Sequence, residues 1–241
     1  MDKKNREKDI EVLELRASQV QRGGARAAVL GVNDGLVSTL CIVLAVAAAG
    51  AAPDAVLLAG FAGLIAGAIS MAAGEWISVK SQVELFQGIL SDLKHMIKGD
   101  RELLEENLEK SLTEDGYAPQ TAQAATQDLS HDDRFFDIYA TQVIGMNPDE
   151  LGSPWTAAIS SFALFTIGAL APLAPWFFVN GMFAVMLSII LTGAGGLVVG
   201  AYVAHTSGKS LSAGALRQLG IIILASVVTY GVGYIFGTAV Y

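Results

Sequence analysis

Three stretches almost free of charge constrain what this chain can become. Between residues 35 and 74 the only charged residue is Asp54; residues 155–208 hold no Asp, Glu, Lys or Arg, and none follows Arg217. A run of about 20 apolar residues is long enough to cross a bilayer. In hydrocarbon it must satisfy its backbone internally, which a single segment does only as a helix. The runs divide into five such segments, near 27–49, 56–79, 155–173, 180–204 and 216–240, with Pro172 and Pro175 ending the third. The expected fold class is therefore an all-α membrane protein: five transmembrane helices with a cytosolic helical insertion between helices 2 and 3.

Basic residues in short loops orient such a bundle, because Lys and Arg stay on the cytoplasmic side. Lys3, Lys4, Arg6, Lys8, Arg16, Arg22 and Arg26 precede the first span, and Lys209 and Arg217 lie between the fourth and fifth. The turns at 50–55 and 174–180 carry no basic residue. This predicts a cytosolic N-terminal segment (1–26), helices 1–2 over 27–80, an internal segment over 81–150 and helices 3–5 over 151–241. The C-terminus would then lie outside or in a lumen. The N-terminal residues are too polar for the apolar part of a signal peptide. The lone Cys41 forms no intrachain disulfide and reads as a small buried hydrophobe.

Residues 80–150 differ from everything around them. They carry fifteen acidic residues against six basic ones, a net of −9 where the whole chain is −8. Such a surface repels nucleic acid and attracts cations. Leu103, Leu104, Leu108 and Leu112 recur at helical spacing, and Glu102, Glu105, Glu106 and Glu109 share the opposite face. The sequence DGYAP at 115–119 signals a turn, followed by a helix over about 120–130 and a third carrying Phe135, Phe136 and Tyr139. A helix running unbroken from the second span would bring Glu84 and His95 to the sector of Glu102, although Gly88 and Gly99 oppose that continuity. The acids read either as a solvated face or as hard oxygen ligands for a divalent cation. His131, with Asp128 and Asp132 around it, could add ligands.

Two carboxylates fall inside the apolar spans, where ionisable groups are costly and usually functional. Asp34 lies about two turns into the first span and reads either as a helix N-cap or as a residue of a cation path. Glu75 lies near the inner end of the second span, which runs the other way, so the two are expected at similar depth. Met71, four residues before Glu75, shares its helix face. A thioether beside carboxylates suits Fe²⁺ or Mn²⁺. The GxxxG pairs Gly63/Gly67, Gly196/Gly200 and Gly233/Gly237 predict close helix packing, within a bundle or across a dimer. No HExxH, P-loop, Ser-His-Asp set or GxGxxG followed by an acid is present, so an enzyme is not expected.

The stretches GVNDGLVSTL, GLIAGAISMAAGEWISVKSQ, SPWTAAISSFALFTIGALAPLAPW and VTYGVGYIFG together resemble the vacuolar iron transporter family. The resemblance covers nearly the whole chain from Arg26. It implies a homodimer of five-helix protomers that exports Fe²⁺, often Mn²⁺ too, from the cytosol in exchange for protons, with a metal path at the dimer interface. It implies that the insertion is a cytosolic metal-binding domain. Asp34 and Met71 match the family's transport-path Asp and Met, and Glu75 follows its GE pattern. Gly63 stands where some members carry a Glu. Glu84, Glu102, Glu105, Glu106 and Glu109 fall where the family's first helices carry Glu, while Gln142 stands where an acid is expected. The resemblance thus implies divalent metal ions, protons, the membrane and a second copy of the chain as partners, with no nucleic acid and no organic cofactor. The host membrane, bacterial inner membrane or vacuole-like, is left open. A membrane metal-binding protein that senses or stores without transporting is the alternative.

Overall fold

The computed structural model describes residues 24–99, 101–132, 134–145, 147 and 152–240. The predicted N-terminal segment falls almost wholly outside these, as do Asp100, Asp133, Asp149 and Glu150. Every regular element among the described residues is helical: α1 (Gly24–Ala48), α2 (Pro53–Gly99), α3 (Arg101–Glu114), α4 (Pro119–Ser130), α5 (Phe135–Gln142), α6 (Pro154–Leu173), a short 3-10 turn (Ala174–Phe177), α7 (Gly181–Thr206) and α8 (Leu211–Val240). Five of them, α1, α2, α6, α7 and α8, are long and apolar enough to cross a membrane. The chain forms two compact units: 77–153, and the flanking residues up to Trp76 and from Pro154.

The predicted turns end the helices for a clear reason. After α1, Gly50 takes a left-handed φ of 81°, its N–H reaching Ala47 and that of Ala51 reaching Val46, and Pro53 then opens α2. After α3, Gly116 does the same at φ 100°, with Tyr117 N–H bonded to Leu112. A glycine at this position satisfies the last carbonyls of a helix without a Cβ penalty. α6 stops at Leu173, just past Pro172, as the prolines predict. The Ser188 hydroxyl donates to the Pro172 carbonyl (2.7 Å) and accepts from the Trp176 indole (3.0 Å), tying that corner to α7. Each buried bond of this kind contributes about 1 kcal/mol.

In the larger unit α1 packs against α6, α7 and α8, and α7 packs against both α6 and α8. Small residues set these contacts. A Cβ on Gly35 would meet the Phe165 carbonyl of α6 at 2.1 Å, and one on Gly168 of α6 would meet the Val32 carbonyl at 2.2 Å. Gly233 and Gly237 of α8 press on the backbone of Ala45 and Ala49, while Gly196 and Gly200 of α7 receive Ile222, Gln218 and Gly214 of α8. Gly63 and Gly67 of α2 receive the side chains of Ile42 and Phe165. All three predicted GxxxG pairs are thus used inside one chain. The core is Leu40, Val43, Leu44, Leu64, Phe165 and Leu173 with their neighbours. The outward faces are apolar: Leu58, Ile69, Ile159, Val198, Leu224 and Ile235 are all exposed. That surface is what lipid, rather than water, would cover.

The smaller unit closes around Leu93, Leu104, Leu108, Leu112, Phe135 and Tyr139. Leu103, expected on the buried face, is 49% exposed, because adjacent residues lie about 100° apart and only Leu104 can point inward. α2 runs unbroken through Gly88 to Gly99, and α3 is a separate helix. Glu84 and His95 therefore do not continue the helix that carries Glu102. Arg101 donates to the Ser130 carbonyl and lays its guanidinium over the Phe135 ring at 5.0 Å, which fastens α3 to the end of α4.

Candidate functional site

Asp34 is exposed on α1 and lies inside the helix, not at its start. At 1.5 Å per residue it sits about 21 Å from the Ala48 end. Helix already precedes it from Gly24, so it does not cap that end. Its two neighbours fix where it points. Asn33 accepts a hydrogen bond through its side-chain oxygen from the Gln218 amide of α8. Gly35 is pressed on the backbone of α6. These contacts lie about 100° to either side of Asp34. Leu36, a further step round, packs on Gly195 of α7. The carboxylate is thus directed out of its own bundle, on the side away from α7.

The glycine contacts of α2 set the depth of the second span's residues. Gly60 lies against Val43 and Gly63 against Ile42. Continued at that antiparallel register, Asp34 comes level with Ser70 and Met71, and Glu75 falls about one turn nearer the N-terminal end of α1. On that register Met71 lies nearest the level of Asp34, with Glu75 about one turn away. Met71 is partly buried against the core, and Glu75 is half-buried next to Trp76. The Trp76 ring meets Trp155 edge-on at 5.8 Å, joining α2 to the first turn of α6. Paired indoles suit the interface between headgroups and hydrocarbon.

In the smaller unit the predicted ligands are spread out, and Glu84, Glu105 and Asp132 are already paired. Glu84 bonds Lys80 at 3.2 Å, and Glu105 bonds Arg101 at 3.3 Å. Asp132 accepts from the Arg134 backbone at 2.8 Å and from its guanidinium at 3.1 and 3.2 Å. Those bonds hold its carboxyl below the usual range. The His131 Nδ1 lies 2.8 Å from the Gln127 carbonyl and 3.1 Å from the Ser130 hydroxyl. Glu105, His131 and Asp132 border one cavity of about 620 Å³, with Arg101 in its wall. Glu102 and Glu106 border a separate, smaller hollow, and Glu109 lies half-buried on α3. Among the described residues no three His, Cys, Asp or Glu side chains stand close enough to share an ion. Gln142 donates to the Asp115 carboxylate at 2.6 Å, linking α5 to the turn after α3.

Sequence reasoning missed the Asn33–Gln218 bond, whose partners lie 185 residues apart. It also missed that Gly31 and Gly35 are themselves a GxxxG pair: both face α6, at Leu164 and Phe165. The spacing was there to read, overlaid on the acid that drew attention first.

The profile of the VIT family matches residues 25–234. The chain belongs to this family. It is 32% identical over 213 residues to "Vacuolar iron transporter homolog 1" of Oryza sativa subsp. japonica, covering 88% of this chain and 73% of that protein. It is 32% identical over 224 residues to the "Vacuolar iron transporter" of Acanthamoeba castellanii, covering 90% and 80%. "Vacuolar iron transporter homolog 2" of Arabidopsis thaliana is 30% identical over 216 residues, covering 88% and 84%. With five helices of membrane length, this VIT-family chain is an integral membrane protein.

Proposed function

We propose that the protein transports divalent iron, manganese or both out of the cytosol in exchange for protons. The observation that carries this reading is Asp34: an exposed carboxylate well inside a membrane-length helix, its direction set by the hydrogen-bonded Asn33 on one side and the close-packed Gly35 on the other. Charge facing lipid is expensive, so such a face is expected to line water or be covered by protein. A second copy of this chain, set against the Asp34 face, would enclose a path with an Asp34 from each protomer. Met71 at the same level would supply a polarisable sulfur, and Glu75 one turn away an entry carboxylate. A metal ion binds the deprotonated carboxylate and competes with the proton for it, which couples the two.

The 81–150 insertion would lie in the cytosol, with the N-terminus on the same side and the C-terminus opposite. There its excess of fifteen acids over six bases within 80–150 would concentrate cations on the cytosolic side. The paired state of Glu84, Glu105 and Asp132 favours a loading surface over a rigid preformed cage. Glu102, Glu106 and Glu109 offer further carboxylates, and His131 a nitrogen.

Proteoliposomes holding the full chain test the reading. Fe²⁺ and Mn²⁺ should enter faster when the lumen is the more acidic side, and their entry should alkalinise the lumen as protons leave in exchange. Met71→Leu should shift the preference between metals, and Glu75→Gln should slow capture. Metal that binds but never crosses the bilayer would instead indicate a sensor or store.

A further inference from the structure

We propose that Gln218 is a positioning residue for the Asp34 carboxylate, acting through Asn33. Gln218 is 9% exposed, the one glutamine in a helix whose remaining buried residues are small or apolar but for Ser226. An amide that deep in a membrane-length bundle needs a partner, and its partner is Asn33 on α1. The contact is built for. Gly200 of α7 leaves room for the Gln218 Cβ, where a Cβ of its own would stand 2.8 Å away, and Gly196 one turn earlier makes room for Ile222, the next turn of α8. The close approach of Gly200 to the Gly214 carbonyl seats α8 on α7 and aims Gln218 at α1.

α8 holds α1 in two ways. Over the C-terminal half the grip is backbone on backbone, Gly233 on Ala45 and Gly237 on Ala49. Near Asp34 the grip is one directional hydrogen bond at the preceding residue. Breaking it removes a polar restraint on that stretch of α1 and lets it rotate by the small angle that Gly35 on α6 and Leu36 on Gly195 allow. A rotation of that size moves the carboxylate sideways within the existing packing. The consequence for metal rests on the transport reading above; the orientation of α1 does not.

The test uses the full chain in liposomes, with Cys41→Ser so that single labels can be placed. Nitroxides at Leu30→Cys and Ser38→Cys flank Asp34, about 40° to either side. Gln218→Met keeps the bulk and removes the bond. It should shift the mobility of the two labels in opposite senses and, in unlabelled protein, raise the KM for Mn²⁺ about tenfold with Vmax within about twofold. Gln218→Glu can accept from the Asn33 amide instead and should restore both readouts. Unchanged labels in Gln218→Met would overturn the proposal, and so would shifted labels with an unchanged KM. If the parent takes up no Mn²⁺ while the labels still shift, the orientation assignment stands and the transport reading falls. Should Gln218→Met fail to reach the membrane, Asn33→Leu breaks the bond from its other side and is held to the same outcomes.

Discussion

At the scale of single residues, the polar side chains divide by what they already touch. Asp132 is engaged by Arg134 and its carboxyl is lowered for that reason, the hydrogen bond from the guanidinium first and the backbone N–H second. Arg134→Ala should move the Asp132 titration back up towards 3.8, read from carboxyl carbon shifts by NMR. A lowered folded pKa adds stability above the unfolded value and loses it as pH falls through the folded one. Here the pair lies at the surface, with Arg134 exposed and Asp132 partly so, and the effect on stability should be slight. A metal ion at Asp132 would have to displace Arg134, as one at Glu105 would displace Arg101. Asp34 was legible from sequence as an acid out of place. The direction in which it points was not, because that depends on Asn33 meeting a glutamine at the far end of the chain.

At the scale of elements, glycine decides how close the helices come. Gly35→Val would force α1 and α6 apart where their backbones touch, and should cost about 1–3 kcal/mol or more. Gly220→Ala on α8, where a Cβ meets nothing within 4 Å, should be neutral or stabilise by about 0.5–1 kcal/mol through helix propensity. Thermal melts of the two variants in detergent check the contrast; equal melting would remove the packing role assigned to Gly35. The spans themselves were readable because an uncharged run of this length leaves the backbone one choice. In the insertion the leucine spacing marked a helix but could not choose between Leu103 and Leu104. Nor did the glycines at 88 and 99 behave alike: the helix passes through the first and ends at the second. Gly88 is tolerated within an otherwise favourable helix, whereas Gly99 stands at the end of α2, just before α3 begins.

At the scale of the whole molecule, two chemistries are segregated. Fifteen of the 23 acidic residues lie in 80–150, and the lipid-type surface lies in the five long helices. If the acidic face loads metal, replacing Glu102, Glu105, Glu106 and Glu109 together by Gln in the full chain should lower the number of Mn²⁺ ions bound, measured by calorimetry. Identical stoichiometry and affinity would return these residues to a solvated face. Transport itself turns on the carboxylate in α1. The most direct test is Mn²⁺ uptake by proteoliposomes carrying Asp34→Asn, at matched protein and matched pH gradient. Asparagine keeps the size and removes the charge, so uptake should fall at least about tenfold and lose its dependence on the gradient. Uptake as fast as the parent's, with the same response to pH, would contradict a path through Asp34.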